Sequence, residues 1–147
     1  MVRFKKNLRY QVKVRWDGES GGFVECENCG DLKVDIPREF SGLGRSPCPD
    51  QLFLASIGGC LLTTLLHFKE RFNLDIVDVN ILVSEDITLS RSEGYRIRSI
   101  KAAMRVKADP RSTHIVKRCA ELAKDYCHIT RSIEACTPLD VSVEVKL

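Results

Sequence analysis

A long apolar segment at residues 52–68 constrains the fold of this chain more than any other feature of its sequence. Four polar residues interrupt it: Ser56, Thr63, Thr64 and His67. The segment therefore predicts a buried core helix rather than a membrane span. Pro49 suits the first helical position, and Asp50 in the first turn complements the helix dipole. We expect this helix to end near residue 72 and to be buried by a sheet and by a second copy of the chain.

Polar and apolar residues alternate on both sides of this helix, which is typical of strands. Six segments show this pattern: 10–16, 23–26, 32–36, 76–83, 95–106 and 141–145. A second helix is expected after a cap formed by Asp109 and Pro110. Its buried face is expected to hold Ile115, Cys119, Leu122 and Tyr126. The order β-β-β-α-β-β-α-β predicts an α+β fold of antiparallel strands around a long buried central helix, as a single domain over residues 1–147.

Composition excludes several functional classes. The 147 residues carry a formal net charge of +3, and basic and acidic residues are interspersed, which argues against a nucleic-acid partner. The chain begins without the apolar block of a secretory signal, so we expect a cytoplasmic protein with no membrane partner. In that compartment, seven cysteines are better explained by redox or metal chemistry than by a disulfide framework.

Two cysteines stand where the local pattern breaks. Cys60 follows Gly58 and Gly59 inside the apolar helix, and Cys127 opens the segment 127–133. Adjacent glycines in a helix cost about 1 kcal/mol each relative to alanine, and such sites are usually kept where something approaches the backbone closely. If the fold brings the two sulfurs together, they form an attacking and a resolving thiol. The alternative for Cys60 is a buried cysteine that acts as a small hydrophobic residue.

A second cysteine pair, Cys26 and Cys29, forms a C-x-x-C motif in a turn of the predicted meander. Two ordinary turn cysteines, a local disulfide and a metal site remain alternatives, since Cys48 and a histidine can complete a zinc site only if the fold brings them together. His67, His114 and His128 are expected to be ordinary surface or cap residues. His128 is not expected to form a dyad with Cys127, because adjacent helical residues point in different directions. We expect neither a cofactor nor a dedicated metal site.

Three motifs resemble those of one known family. They are Phe40-Ser41-Gly42 with Gly44, then Pro47-Cys48-Pro49-Asp50-Gln51-Leu52 leading into Ala55-Ser56-Ile57-Gly58-Gly59-Cys60, and finally Cys127-His128-Ile129-Thr130-Arg131-Ser132-Ile133. On these residues the chain resembles the OsmC/Ohr family, the osmotically inducible and organic hydroperoxide resistance proteins. The resemblance spans most of the chain.

The resemblance implies an intertwined homodimer that reduces organic hydroperoxides, with sites at the dimer interface. Cys60 would be oxidised to a sulfenic acid, Cys127 would condense with it to a disulfide, and an external dithiol would reduce that disulfide. The family also uses a Glu and an Arg near the reactive sulfur. Asp50, a shorter acid, stands at the position of the Glu.

The reactive sulfur needs a nearby cation that favours the thiolate. Three arginines are candidates for this role. Arg15 is the first choice, and Arg38 and Arg45 are its competitors. In a continuous helix, Asp50 lies about 15 Å along the axis from Cys60, so a partner subunit or a helix break is needed for both to serve one site.

Two functions from other classes remain alternatives to a thiol peroxidase. One is a non-enzymatic protein that binds a small apolar ligand in the interface cavity of the same scaffold. The other is a zinc-stabilised domain built on Cys26 and Cys29. Peroxide consumption with a dithiol reductant separates the first alternative from the enzyme, and metal analysis addresses the second.

Overall fold

A computed structural model describes residues 6–147 of the chain. The chain divides into two compact units, Met1–Leu52 and Phe53–Leu147. The single-domain organisation expected from the sequence stays a prediction.

The first unit contains a three-stranded antiparallel sheet. Its strands are β1 (Lys13–Trp16), β2 (Gly21–Glu25) and β3 (Lys33–Asp35), in the order β1-β2-β3. The meander predicted from the sequence is therefore confirmed, although β1 begins three residues later than the alternation suggested. The apolar face of β1 is largely exposed within the chain, with Trp16 at 71%.

A buried carboxylate organises the loop that follows this sheet. Asp35 accepts hydrogen bonds from Arg45 Nε at 2.8 Å and from the Ser20 hydroxyl at 2.6 Å. These contacts with Arg45 and then Ser20 hold the pKa of Asp35 well below its usual range. Gly42 in the same loop approaches the backbone of Ile36 so closely that a side chain would collide with it. The loop is thus fixed by an ion pair and a close backbone contact.

The central helix α1 runs without a break over Pro49–Phe72, and begins at the proline as expected. Only one side of α1 is buried within the chain, through Ile57, Cys60, Leu61 and Leu65. The expectation of burial on most sides is therefore not met by a single copy, because one chain covers only one face of this helix. By length and composition alone α1 is apolar enough to span a membrane, a test that core helices of soluble proteins also pass.

The second unit contains a three-stranded sheet in the order β4-β5-β6. Strands β4 (Ile76–Ser90) and β5 (Gly94–Ala108) form the expected hairpin, and β6 (Leu139–Lys146) closes the sheet. β6 pairs with β5 in parallel, so the sheet is mixed rather than wholly antiparallel. The reason is that the helical connection after β5 brings the chain back along that strand to Ile100, which pairs with Leu139 at the start of β6.

Two helices form this connection, α2 (Thr113–Tyr126) and the short α3 (His128–Ile133). The predicted helix cap at Asp109 and Pro110 is wrong, because α2 begins at Thr113. Asp109 instead closes a turn, in which its backbone carbonyl accepts from Ser112 N.

The buried face of α2 also differs from the expectation. Val116, Cys119, Ala120 and Ala123 are buried, whereas Ile115 and Tyr126 are exposed. Both the predicted and the observed face have helical spacing. The observed face is the one with smaller residues, and these pack closest to the core. Cys119 is a core residue, as expected. The α+β class and the order of the predicted elements are confirmed.

Candidate functional site

The middle of α1 places Cys60 at the edge of the core of the second unit. Ile57, Cys60, Leu61 and Leu65 recur at helical spacing, so they share the buried face. Cys60 is 8% exposed, while Ile57 and Leu61 are fully buried. The sulfur is thus shielded from bulk water without being sealed in the interior.

The two glycines before Cys60 have different surroundings. A Cβ at Gly58 would lie 3.2 Å from the Val83 side chain of β4, so this position must be small for the helix to pack on the sheet. A Cβ at Gly59 would meet nothing within 4 Å. The close approach expected from the sequence therefore applies at Gly58, and open space lies on the other side of the helix beside Cys60.

Cys127 lies at the junction of the two connecting helices. It is the C-cap residue of α2 and the N-cap residue of α3, and its backbone is extended, with φ −67° and ψ 107°. Its side chain is fully buried. The hydroxyl of Thr130 and the backbone N–H of Arg131 both donate to its carbonyl oxygen, at 3.1 Å each. These bonds fix the turn that directs the Cys127 sulfur into the core.

The Cys60 thiol of α1 interacts with the Cys127 thiol from the junction of α2 and α3. Burial raises the pKa of Cys60, and a hydrogen bond with the Cys127 thiol raises it further. The backbone N–H of Ile129 and the hydroxyl of Thr64 act in the opposite direction, because they favour the thiolate. Both Cys60 and Cys127 are free thiols in this structure. Two thiols in contact can form a disulfide, so this is a redox-capable pair.

A histidine also reaches this pair. His128 Nδ1 lies 3.7 Å from Cys60 Sγ, within the range of a hydrogen bond to sulfur. The expectation that His128 is only a surface or cap residue is therefore incomplete. It is exposed and it begins α3, but its imidazole contacts Cys60. The direction of adjacent helical residues excludes a dyad between His128 and Cys127, but not a contact between His128 and Cys60. The position of His128 one residue beyond the predicted resolving thiol was the sequence signal for this contact.

The arginine candidates lie in the first unit, where each has a local partner. Arg15 Nε donates to Glu25 at 3.1 Å, and its guanidinium lies 4.9 Å from the centre of the Phe23 ring. Arg38 Nε donates to the carbonyl of Leu43 at 3.4 Å. Within residues 6–147, no ion pair involves Arg38.

Arg45 is the most strongly engaged of the three. Besides Asp35, it contacts Asp17 at 2.6 Å and Glu19 at 3.4 Å. Three carboxylates already compensate its charge, which makes Arg45 the weakest candidate for a site cation. Asp50 is an exposed residue in the first turn of α1, and the helix is unbroken between it and Cys60. The separation of about 15 Å along the axis expected for a continuous helix therefore applies.

The remaining cysteines are distributed over both units. Cys26 and Cys29 form a disulfide, which was one of the three alternatives for this C-x-x-C motif. Cys48 is partly buried, and Cys136 is exposed. In the part of the chain that the structure describes, no group of three or more His, Cys, Asp or Glu residues is arranged to hold a metal ion. The Cys26–Cys29 pair is oxidised here and offers no thiolate ligands.

Comparison with known proteins gives the family. Over 144 residues the chain is 24% identical to the uncharacterized protein YmaD of Bacillus subtilis. The alignment covers 94% of this chain and 95% of YmaD. The OsmC-like protein from Mycoplasma pneumoniae has a similar structure, with a TM-score of 0.78, 15% identity and coverage of 96% of this chain and 98% of that one.

The organic hydroperoxide resistance protein OsmC from Legionella pneumophila is also similar, with a TM-score of 0.68 and 21% identity over 96% of this chain and all of that one. At these identities the solved structures establish a shared fold. The family model described as OsmC-like protein matches residues 42–142, which is more than half of the sequence and includes both Cys60 and Cys127. On that match, the chain belongs to the family of OsmC-like proteins.

Proposed function

We propose that this protein is a thiol-dependent peroxidase that reduces organic hydroperoxides through Cys60 and Cys127. The Cys60 thiolate attacks the terminal oxygen of the hydroperoxide, the O–O bond breaks, and the alcohol leaves with a proton while Cys60 becomes a sulfenic acid. The Cys127 sulfur then attacks Cys60 Sγ, which releases water and forms a disulfide. An external dithiol reduces this disulfide to two thiols and is itself oxidised to a disulfide.

The observation that carries this proposal is the contact between two free thiols that lie far apart in the sequence. Cys60 comes from the middle of α1, and Cys127 from the junction of α2 and α3. The family, some of whose solved members are named for organic hydroperoxide resistance, supports the peroxide as substrate.

The residues that assist Cys60 are part of the same proposal. A cation near the sulfur stabilises the thiolate and polarises the leaving oxygen. Arg15 and Arg38 remain the candidates for this role. Arg38 is favoured by its uncompensated charge among the described residues, whereas Arg15 forms an exposed ion pair with Glu25. Asp50 is the candidate acid. The proposed chemistry supports a role in the response to oxidative stress, and we propose a cytoplasmic location for it.

The decisive experiment is a free-thiol count before and after one equivalent of an organic hydroperoxide, with peptide mapping by mass spectrometry. Five cysteines are free in this structure, and the count is expected to fall by two as a Cys60–Cys127 peptide appears. The Cys26–Cys29 disulfide provides an internal control, because its peptide stays unchanged. A non-enzymatic ligand-binding protein would keep all five thiols, and that result would refute the peroxidase.

We propose further that the active form is a homodimer. The exposed side of α1 carries small residues, Ala55, Ser56, Gly59 and Thr63, which allow a second helix to approach closely. The exposed apolar face of β1 supplies additional surface that a partner can cover. Because Asp50 lies far along α1 from its own Cys60, we infer that each site takes the acid from one subunit and the thiols from the other.

Light scattering is expected to give the mass of a dimer, and a monomer would contradict the assembly. Co-expression of Cys60→Ser with Asp50→Ala tests the shared site. A heterodimer has one site with both lesions and one site with neither, so mixtures are expected to recover activity that the separate parents lack. Undiminished activity of the Asp50→Ala parent would remove Asp50 from the site.

A further inference from the structure

The contact between His128 and Cys60 joins a buried sulfur to an exposed side chain. Cys60 is 8% exposed, whereas His128 is an exposed residue whose Nδ1 lies 3.7 Å from Cys60 Sγ. The imidazole is therefore in contact with the thiol on one side and with solvent on the other. A group in this position can carry a proton between the sulfur and water.

Cys60 needs such a group because its surroundings disfavour the thiolate. Burial and the neighbouring Cys127 thiol both raise the pKa of Cys60, although the Ile129 N–H and the Thr64 hydroxyl partly oppose them. The thiolate is nevertheless the form that attacks a peroxide. A neutral imidazole in hydrogen-bond contact with the thiol is suited to accept this proton, as histidine commonly does in general acid–base catalysis.

We propose that His128 is the acid–base residue of Cys60, a role that rests on the peroxidase function proposed above. As Sγ attacks the terminal peroxide oxygen, the S–H proton moves to Nδ1 of a neutral ring that carries its own hydrogen on Nε2. The S–O bond forms, the O–O bond breaks, and its electron pair leaves on the alkoxide. The imidazolium then gives the proton to the alkoxide, so that the products are an alcohol, a sulfenic acid and a neutral His128.

A test of this role must account for every group that contacts the Cys60 sulfur. The titratable groups in contact with Cys60 are the Cys127 thiol and the His128 imidazole, both from the junction of α2 and α3, and α1 itself contributes the Thr64 hydroxyl. His128→Asn keeps a short polar group that can hydrogen-bond to the sulfur, but it cannot accept a proton. His114→Gln is the matched control, since it removes an exposed histidine from α2.

Two rates are to be measured in each variant: peroxide consumption, and alkylation of Cys60 by iodoacetamide followed on the Cys60 peptide. In His128→Asn both rates at neutral pH are expected to fall by about 10²-fold, the usual contribution of a general base, while His114→Gln matches the parent protein. The deficit in alkylation is expected to shrink as the pH rises toward that of full thiol ionisation. Added imidazole is expected to restore part of both rates in His128→Ala.

The outcomes separate this role from the function on which it rests. Unchanged Cys60 alkylation in His128→Asn, or a deficit that is equally large at every pH, overturns the role of His128 whatever the peroxide assay gives. A parent protein that consumes no peroxide refutes the proposed function. In that case the alkylation rates still report whether His128 activates Cys60.

Discussion

A Cys60→Ser variant is expected to lose peroxide reduction by about 10³-fold or more while it remains folded. The substitution removes the sulfur that attacks the peroxide, and a serine hydroxyl at this position has no comparable nucleophilicity. The fold is expected to survive because the volume changes little, and a helical serine can donate to a backbone carbonyl one turn earlier. Peroxide consumption with a dithiol reductant and far-UV circular dichroism measure the two properties.

Cys119→Ser is the matched control for this experiment. Cys119 is also a buried helical cysteine, but it lies within α2 and is not part of the proposed thiol pair. Its replacement is expected to leave turnover close to that of the parent protein. Sustained turnover by a folded Cys60→Ser variant would end the proposal that Cys60 is the nucleophile.

A Cys127→Ser variant is expected to react once and then to stop. Cys60 can still be oxidised, but no thiol at position 127 condenses with the sulfenic acid, so the protein accumulates in that state. The expected result is a burst of alcohol equal to the enzyme concentration and then no multiple turnover. A dimedone-type reagent is expected to label the Cys60 peptide of this variant, and not that of the parent protein.

Cys48→Ser and Cys136→Ser provide the controls for the second experiment, since both remove free cysteines outside the proposed pair. Each is expected to turn over normally. If Cys127→Ser cycles at the parent rate with the same dithiol, then another cysteine resolves the sulfenic acid. Cys48 would be the first to examine, because it lies in the motif ahead of α1.

Much of the fold follows from local pattern. The start of α1 at Pro49 and the hairpin of β4 and β5 agree with the sequence because turn residues and hydrophobic period act over a few neighbours. The parallel pairing of β6 is different in kind. Alternation identifies a strand, but it says nothing about the direction of its neighbour, which depends on how the helical connection crosses the sheet.

The boundaries of α2 show the same limit on a smaller scale. Asp109 and Pro110 have the chemistry of a helix start, but the backbone there forms a turn that begins the helix at Thr113. A cap sequence lowers the free-energy cost of starting a helix. It does not determine the first helical residue, which also depends on how the helix packs against the sheet. The buried face of α2 is likewise determined by its contacts with the core, and not by the apolar pattern of the helix alone.

Local patterns in the sequence predict the α+β class, the order of the elements and the two cysteines that merit attention, because each of these rests on residues close together in the chain. Contacts in the tertiary structure are needed to establish that the Cys60 and Cys127 thiols interact, that Cys26 and Cys29 are bonded, and that His128 contacts Cys60. The physical reason is that a chemical site depends on distances between side chains from separate elements. Those distances are set by packing, which no local pattern of residues records.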